Sequence, residues 1–168
     1  MSSGGLLIVD GYNVLHALFP GASKEELFAR RDWLAERLTS LVAQEGARAV
    51  LVFDGRGSQS TTRSARDALV EVCFAAGRFT ADTLIARRIA DQPADVRVTV
   101  VSADQEVQRT AARAGVSRMT PRELGAQLDG LAKTLDSSAE VSRIPSRLED
   151  KVDVETLRKL EALRKKKL

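Results

Sequence analysis

Four apolar runs constrain this chain more than any other feature: LLIVD at residues 6–10, AVLVFDG at 49–55, LVEVCFA at 69–75 and VRVTVVS at 96–102. Short apolar runs of this kind, bounded by glycine or polar residues, read as strands buried on both faces. Segments of helical spacing separate them, and strand–helix alternation implies a mainly parallel sheet with helices on both faces. Asp10 and Asp54 end two of the runs, and Asp104 follows a third in VVSADQEV. Open α/β sheets place their sites at such strand ends. Carboxylates gathered there repel one another and lose hydration unless a cation neutralises them. A divalent-metal site is the economical explanation, and such sites commonly cut phosphodiesters.

The segments between the strands carry helix signals. Ser23 with Glu26 forms a capping-box pattern, Leu27, Leu34, Leu38, Leu41 and Val42 repeat at helical spacing, and Gly46 closes what reads as one helix. Thr80 is placed to cap ADTLIARRIADQ, whose apolar face is Ala81, Leu84, Ile85 and Ile89. DQEVQRTAARAG is a helix closed by Gly115, and VSRM is a short extended piece. Thr120, Pro121 and Glu123 then announce a helix through about Leu135. The expected domain is 1–135, followed by an aperiodic linker at 136–151 and a basic amphipathic helix at 152–168 built on Val154, Leu157, Leu160 and Leu163.

A chain of 168 residues that is 43% hydrophobic can bury a proper core. No apolar run is long enough to span a membrane, and MSSGG is no secretory start. Cys73 inside LVEVCFA reads as a buried strand residue in a reducing cytoplasm. Charge is nearly balanced, 26 Lys+Arg less 23 Asp+Glu giving +3. The balance hides local excess. Arg56, Arg63 and Arg66 crowd a Ser/Thr/Gly loop with no acid, and Lys165, Lys166 and Lys167 crowd the end of the chain. Basic patches beside an acidic pocket suit a polyanion.

Each motif has a bland reading beside the functional one. DGYN at 10–13 serves a metal ligand, Asp10, with Asn13 as an oxygen or amide donor beside it; it serves a β-turn equally well. Ser102 or Asp104 could merely cap the following helix, although a capping carboxylate is not thereby barred from an ion. Asp82 could simply favour the positive end of its helix. Asp54 supports the metal or only shapes a turn. Tyr12 reads as a packed aromatic. His16 has no Cys or His partners, which removes zinc of the usual ligand pattern. The loop GRGSQSTTR lacks the Gly-Lys-Ser/Thr of a phosphate loop and the third glycine of a dinucleotide fingerprint.

Taken in order, IVDGYNV (8–14), VFDG (52–55), TADTLIARRIA (80–90), VVSADQEVQRTA (100–111) and TPRELGAQL (120–128) resemble the YacP-like branch of the NYN domains, a PIN-like nuclease fold, over about residues 6–135. The resemblance implies a three-layer, Rossmann-like α/β domain and a metal-dependent ribonuclease, in a family with a ribosome-associated member that cleaves messenger RNA. By motif match, Asp10, Asn13, Asp82 and Asp104 inherit the acidic-centre roles, with Asp54 and Ser102 secondary. One position departs: the family often has Ala-Asp-Glu where this chain has Ala81-Asp82-Thr83, which implies a weakened second metal site or a slower enzyme.

The expectation is therefore an Mg²⁺- or Mn²⁺-dependent endoribonuclease. Asp10, Asp82 and Asp104 hold the ion, and Arg56, Arg63 and Arg66 grip flanking phosphates. RNA is the partner, with the ribosome in view and no membrane. Two rivals remain. One is a catalytically weak RNA- or ribosome-binding module, favoured by Thr83 and the basic tail. The other is a phosphatase of the haloacid-dehalogenase type, which wants a second aspartate where Tyr12 stands.

Overall fold

The computed structural model describes residues 4–55, 61–63 and 68–139. Residues up to Leu128 form one compact unit. Its elements are β1 (Leu6–Asp10), α1 (Gly11–Leu18), α2 (Lys24–Ala29), α3 (Arg31–Glu45), β2 (Arg48–Asp54), β3 (Thr61–Arg63), β4 (Val70–Ala75), α4 (Ala81–Ala90), β5 (Val98–Val101), α5 (Gln105–Arg113) and β6 (Ser117–Met119). The sheet order is β3-β4-β2-β1-β5-β6. Every pairing is parallel except β3 with β4, so five strands run one way. This is the mainly parallel α/β sheet expected.

Alternation along the strands sorts the core onto two faces. Ile8, Val50, Val52, Val98 and Val100 pack with Ala81, Ile85 and Ile89 of α4 and with Val107 and Ala111 of α5. Leu7, Val9, Leu51 and Phe53 occupy the alternate positions, buried like Val14 and Leu15 of α1 and Leu34, Leu38 and Val42 of α3. Each such side chain contributes about 1.5–3 kcal/mol on burial. Cys73 is buried on β4, as its apolar context implied.

Three expectations are corrected. DGYN at 10–13, for which a β-turn was one reading, instead opens α1, which runs to Leu18. Asp10 is its extended N-cap, at φ −76° and ψ 96°, and Val14 and Leu15 are its buried face. The single helix expected after Ser23 is two, broken at Arg30. There the Arg31 guanidinium lies 3.4 Å above the Phe28 ring while its Nε donates to the Phe28 carbonyl at 3.3 Å. Arg30 N–H also turns back onto the Leu27 and Phe28 carbonyls, so the helical ladder is interrupted. The polar loop after β2 contains a strand, β3, whose backbone pairs antiparallel with β4 (Thr62 opposite Cys73).

Other expected signals hold. Ser23 and Glu26 close their capping box, and Gly46, at φ +63°, ends α3. Thr80 caps α4 through the Thr83 amide at 3.3 Å. Thr120 and Glu123 bond reciprocally, with the Thr120 amide donating to Glu123 Oε2 at 2.6 Å and the Glu123 amide to Thr120 Oγ1 at 3.2 Å. The helix they start covers 121–139, beyond the boundary expected near Leu135. Asp129–Leu168 form a separate unit, in which 129–139 are helical. The remainder of the expected linker and the basic helix at 152–168 lie outside the described residues. No helix among those described is long and apolar enough to cross a membrane.

Candidate active site

The chain proceeds from β1 outward through β2 to β4, then returns to place β5 on the other side of β1. The crevice between β1 and β5 is thus the point where strand order reverses, and ligands of open α/β sheets bind there. Asp10 stands at its edge, at the end of β1; Asp54 ends the neighbouring β2; Ser102 and Asp104 follow β5. Asp82 sits on the first turn of α4. The expected convergence of Asp10 and Asp104 on neighbouring strand ends is observed.

Among the described residues, the buried polar or charged side chains are Asp10, 8% exposed, and Ser102, fully buried. They satisfy each other. Ser102 Oγ donates to Asp10 Oδ2 at 3.0 Å and accepts from the Asp104 amide at 3.0 Å. Asn13, one turn into α1, reaches the same loop, its Oδ1 accepting from the Ala103 amide at 2.7 Å. Gln108 Nε2 donates to the Ser102 carbonyl from α5. The β5–α5 loop is therefore fastened to β1 and α1 by side chains at 10, 13 and 102. Asp104 is the N-cap of α5, with Oδ1 accepting from Glu106 N at 2.8 Å and Val107 N at 3.3 Å. Its capping role and its place in the crevice coexist.

The electrostatics are those of a crowded acidic centre. The Asp10 pKa is raised to about 6 by burial, the largest cause, and by the charges of Asp82 and Asp54. The Ser102 hydroxyl opposes that rise most strongly, and the Asn13 backbone amide adds a smaller pull without closing a full capping bond. The Asp82 pKa is raised by partial burial and then by Asp104, Asp54 and Glu106. Glu106, on the first turn of α5, belongs to this acidic field and was missed in the sequence. Its signal was the spacing Asp104-Gln105-Glu106, which sets a second acid on one helix N-terminus. Glu106 also bonds Arg109 at 2.9 Å.

Tyr12 packs edge-on against Phe53, ring centroids 5.0 Å apart, as a packed aromatic should. His16 is exposed on α1. Arg63 lies on the edge strand β3, while Arg56 and Arg66 lie outside the described residues. Thr83, which stands where the family often has an acid, bonds its hydroxyl to that of Thr80 at 3.1 Å.

No three His, Cys, Asp or Glu among the described residues come close enough to enclose an ion. The donor chemistry nonetheless fits a hard dication: every candidate is a carboxylate, and hard cations of the Mg²⁺ and Mn²⁺ type favour oxygen. A cation would also relieve the repulsion that lifts Asp10 and Asp82.

Five parallel strands with helices packed on both faces and acids at the strand-order switch make a Rossmann-like α/β domain. The chain belongs to the YacP-like NYN domain family, whose model matches residues 7–165. That match extends beyond the 6–135 covered by the motif resemblance. Two crystal structures of Rae1 (YacP) from Bacillus subtilis share the fold. One superimposes with a TM-score of 0.68 at 23% identity, covering 95% of this chain and 94% of that one. The other, of a mutant form, gives 0.66 at 24% identity over 79% and 80%. No curated protein matches the chain.

Proposed function

We propose that this protein is an endoribonuclease that hydrolyses RNA phosphodiester bonds with Mg²⁺ or Mn²⁺, and that Asp10, Asp82 and Asp104 hold the ion. The observation that carries the reading is Asp10. It is a carboxylate at a strand-order switch point whose pKa is raised to about 6 by burial first and by Asp82 and Asp54 after it, with no basic side chain among the causes of its shift. Burying a charge in that company is costly unless a cation joins it. Membership of a nuclease-type family supports the same chemistry.

The residues divide the work. Asp10 offers a carboxylate whose orientation the Ser102 hydroxyl fixes through Oδ2. Asn13 and Ser102 hold the 102–104 loop so that Asp104 faces the same crevice. Asp82 enters from α4. The bound ion would lower the pKa of a water and neutralise charge building on the phosphate. Arg56, Arg63 and Arg66 would bind flanking phosphates as point and fork donors. The family resemblance extends the substrate to messenger RNA on the ribosome, for which the terminal lysines supply a polyanion-binding charge.

Asp10→Asn tests this reading. It keeps the shape and an acceptor for Ser102 but removes the charge, so manganese-dependent cleavage of RNA should disappear while the thermal melt remains cooperative. Undiminished cleavage by that variant would overturn the assignment. One observation favours a second reading, a catalytically weak RNA-binding module. Thr83 spends its hydroxyl on Thr80 and supplies no acid. Purified protein that binds RNA but cuts it in neither metal would select that alternative.

A further inference from the structure

Asp54 was expected to support the ion or merely shape a turn, and its observed partner suggests a different task. Its Oδ1 accepts from the backbone amide of Ala81 at 2.7 Å, across 27 residues of chain. Ala81 is the first residue of α4. Inside the helix, the capping Thr80 serves the Thr83 amide at 3.3 Å. The two caps thus divide the first-turn donors between them: Thr80 takes one locally, and Asp54 takes another from the end of β2. A carboxylate receiving a backbone N–H at a helix N-terminus makes a charge-assisted bond in the favourable direction of the helix dipole.

Asp82 follows Ala81 directly, so whatever fixes the Ala81 amide fixes the backbone that carries Asp82. The apolar anchors of α4, Ile85 and Ile89, lie further along the helix, and at its start only the small Ala81 is buried. We infer that Asp54 is a positioning residue: it anchors the N-terminus of α4 to the end of β2 and thereby holds Asp82 at the crevice, without itself being an ion ligand. The inference rests on the proposed metal site in its manganese and activity arms, while its amide-exchange arm stands independently. A neutral acceptor of the same shape would keep the anchor in a weakened form, whereas a ligand would not tolerate that exchange.

Asp54→Asn and Asp54→Ala in the full chain separate the two roles. The readouts are amide exchange at Ala81, line broadening by Mn²⁺ alone around Asp82, and the manganese half-saturation and kcat for RNA cleavage. Asp54→Ala should speed exchange at Ala81 about ten- to hundredfold, the equivalent of one lost hydrogen bond to a charged group. It should also raise the manganese half-saturation, while exchange at sheet amides such as Ile8 stays unchanged. Asp54→Asn should stay within about fivefold of the parent in each readout, a tolerance equivalent to about 1 kcal/mol. Loss of manganese binding in Asp54→Asn with Ala81 still protected would overturn the inference, as would unchanged Ala81 exchange in Asp54→Ala. If Asp54→Ala fails to fold, Asp54→Asn alone decides between anchor and ligand. If the parent protein cuts no RNA, the proposed function falls, while the exchange and broadening arms still decide the role of Asp54.

Discussion

Ser102 Oγ sits 3.0 Å from Asp10 Oδ2, joining residues 92 positions apart at the two sides of the strand-order switch. The same oxygen accepts the Asp104 amide, so one hydroxyl orients the buried acid and the loop that carries its neighbour. Ser102→Ala should leave both groups without that partner, the Asp10 carboxylate in a dry place and the Asp104 amide in a half-buried one. The expected loss is about 1–3 kcal/mol of stability, read by urea denaturation. The Asp10 pKa should also rise further, because the hydroxyl is the strongest influence lowering it. An unchanged denaturation midpoint would contradict this account.

The raised Asp10 pKa makes a signed prediction for metal-free protein. The folded value is about 6 against an ordinary 3.8, so between these values the folded state binds more protons than the unfolded one. Stability contributed by the protonated form is present below the unfolded pKa and is lost as pH rises through about 6. The loss should be on the order of 3 kcal/mol, and Asp10→Asn should flatten it. Thermal melts in EDTA from pH 4 to pH 7 check this, and added Mn²⁺ should restore the parent above pH 6 far more than the variant.

Gly11 begins α1 against the ring of Phe53. A Cβ there would come 2.3 Å from Phe53 Cε1, and Phe53 is fully buried, so neither side can move freely. Gly11→Ala should cost about 1–3 kcal/mol by overpacking despite alanine's better helix propensity. Phe53→Leu should offset part of that cost in the double variant, a coupling that denaturation of all four proteins measures.

Thr83→Glu would restore the acid the family often carries at this place. A carboxylate in the first turn of α4 gains about 0.3–1 kcal/mol from the dipole, set against the lost Thr80 contact and repulsion from Asp82. In metal, the expected result is a lower manganese half-saturation and faster cleavage. A variant no better than the parent in either would show that Thr83 does not limit the site.

Strands β1, β2, β4 and β5 were legible because each lies in an apolar run, and the sequence at their ends named Asp10, Asp54 and Asp104. Helix α1 was not, because Asp-Gly and Asn carry turn propensity, and only the buried Val14 and Leu15 and the close fit of Gly11 to Phe53 override it. The break at Arg30 depends on a guanidinium folding back on Phe28, a tertiary arrangement that hydrophobic spacing does not encode. Strand β3 is three residues of a polar stretch of sequence, and its pairing to β4 is what local sequence does not announce. In the site, the sequence identified the acids but not their company. That Asp54 speaks to Ala81, that Ser102 bridges Asp10 and the Asp104 amide, and that Glu106 joins the field are consequences of strand order.

The return of β5 to the far side of β1 has a consequence for synthesis. Emerging from residue 1 onward, the chain delivers Asp10, Asp54 and Asp82 before the strand that completes their pocket, because β5 and its loop come afterward. Until Val98–Val101 slots in beside β1, Ser102 and Asp104 have no place to act from. On the function proposed, the centre is complete only once β5 docks beside β1, because until then the nascent chain holds Asp10, Asp54 and Asp82 without the loop that orients Asp10.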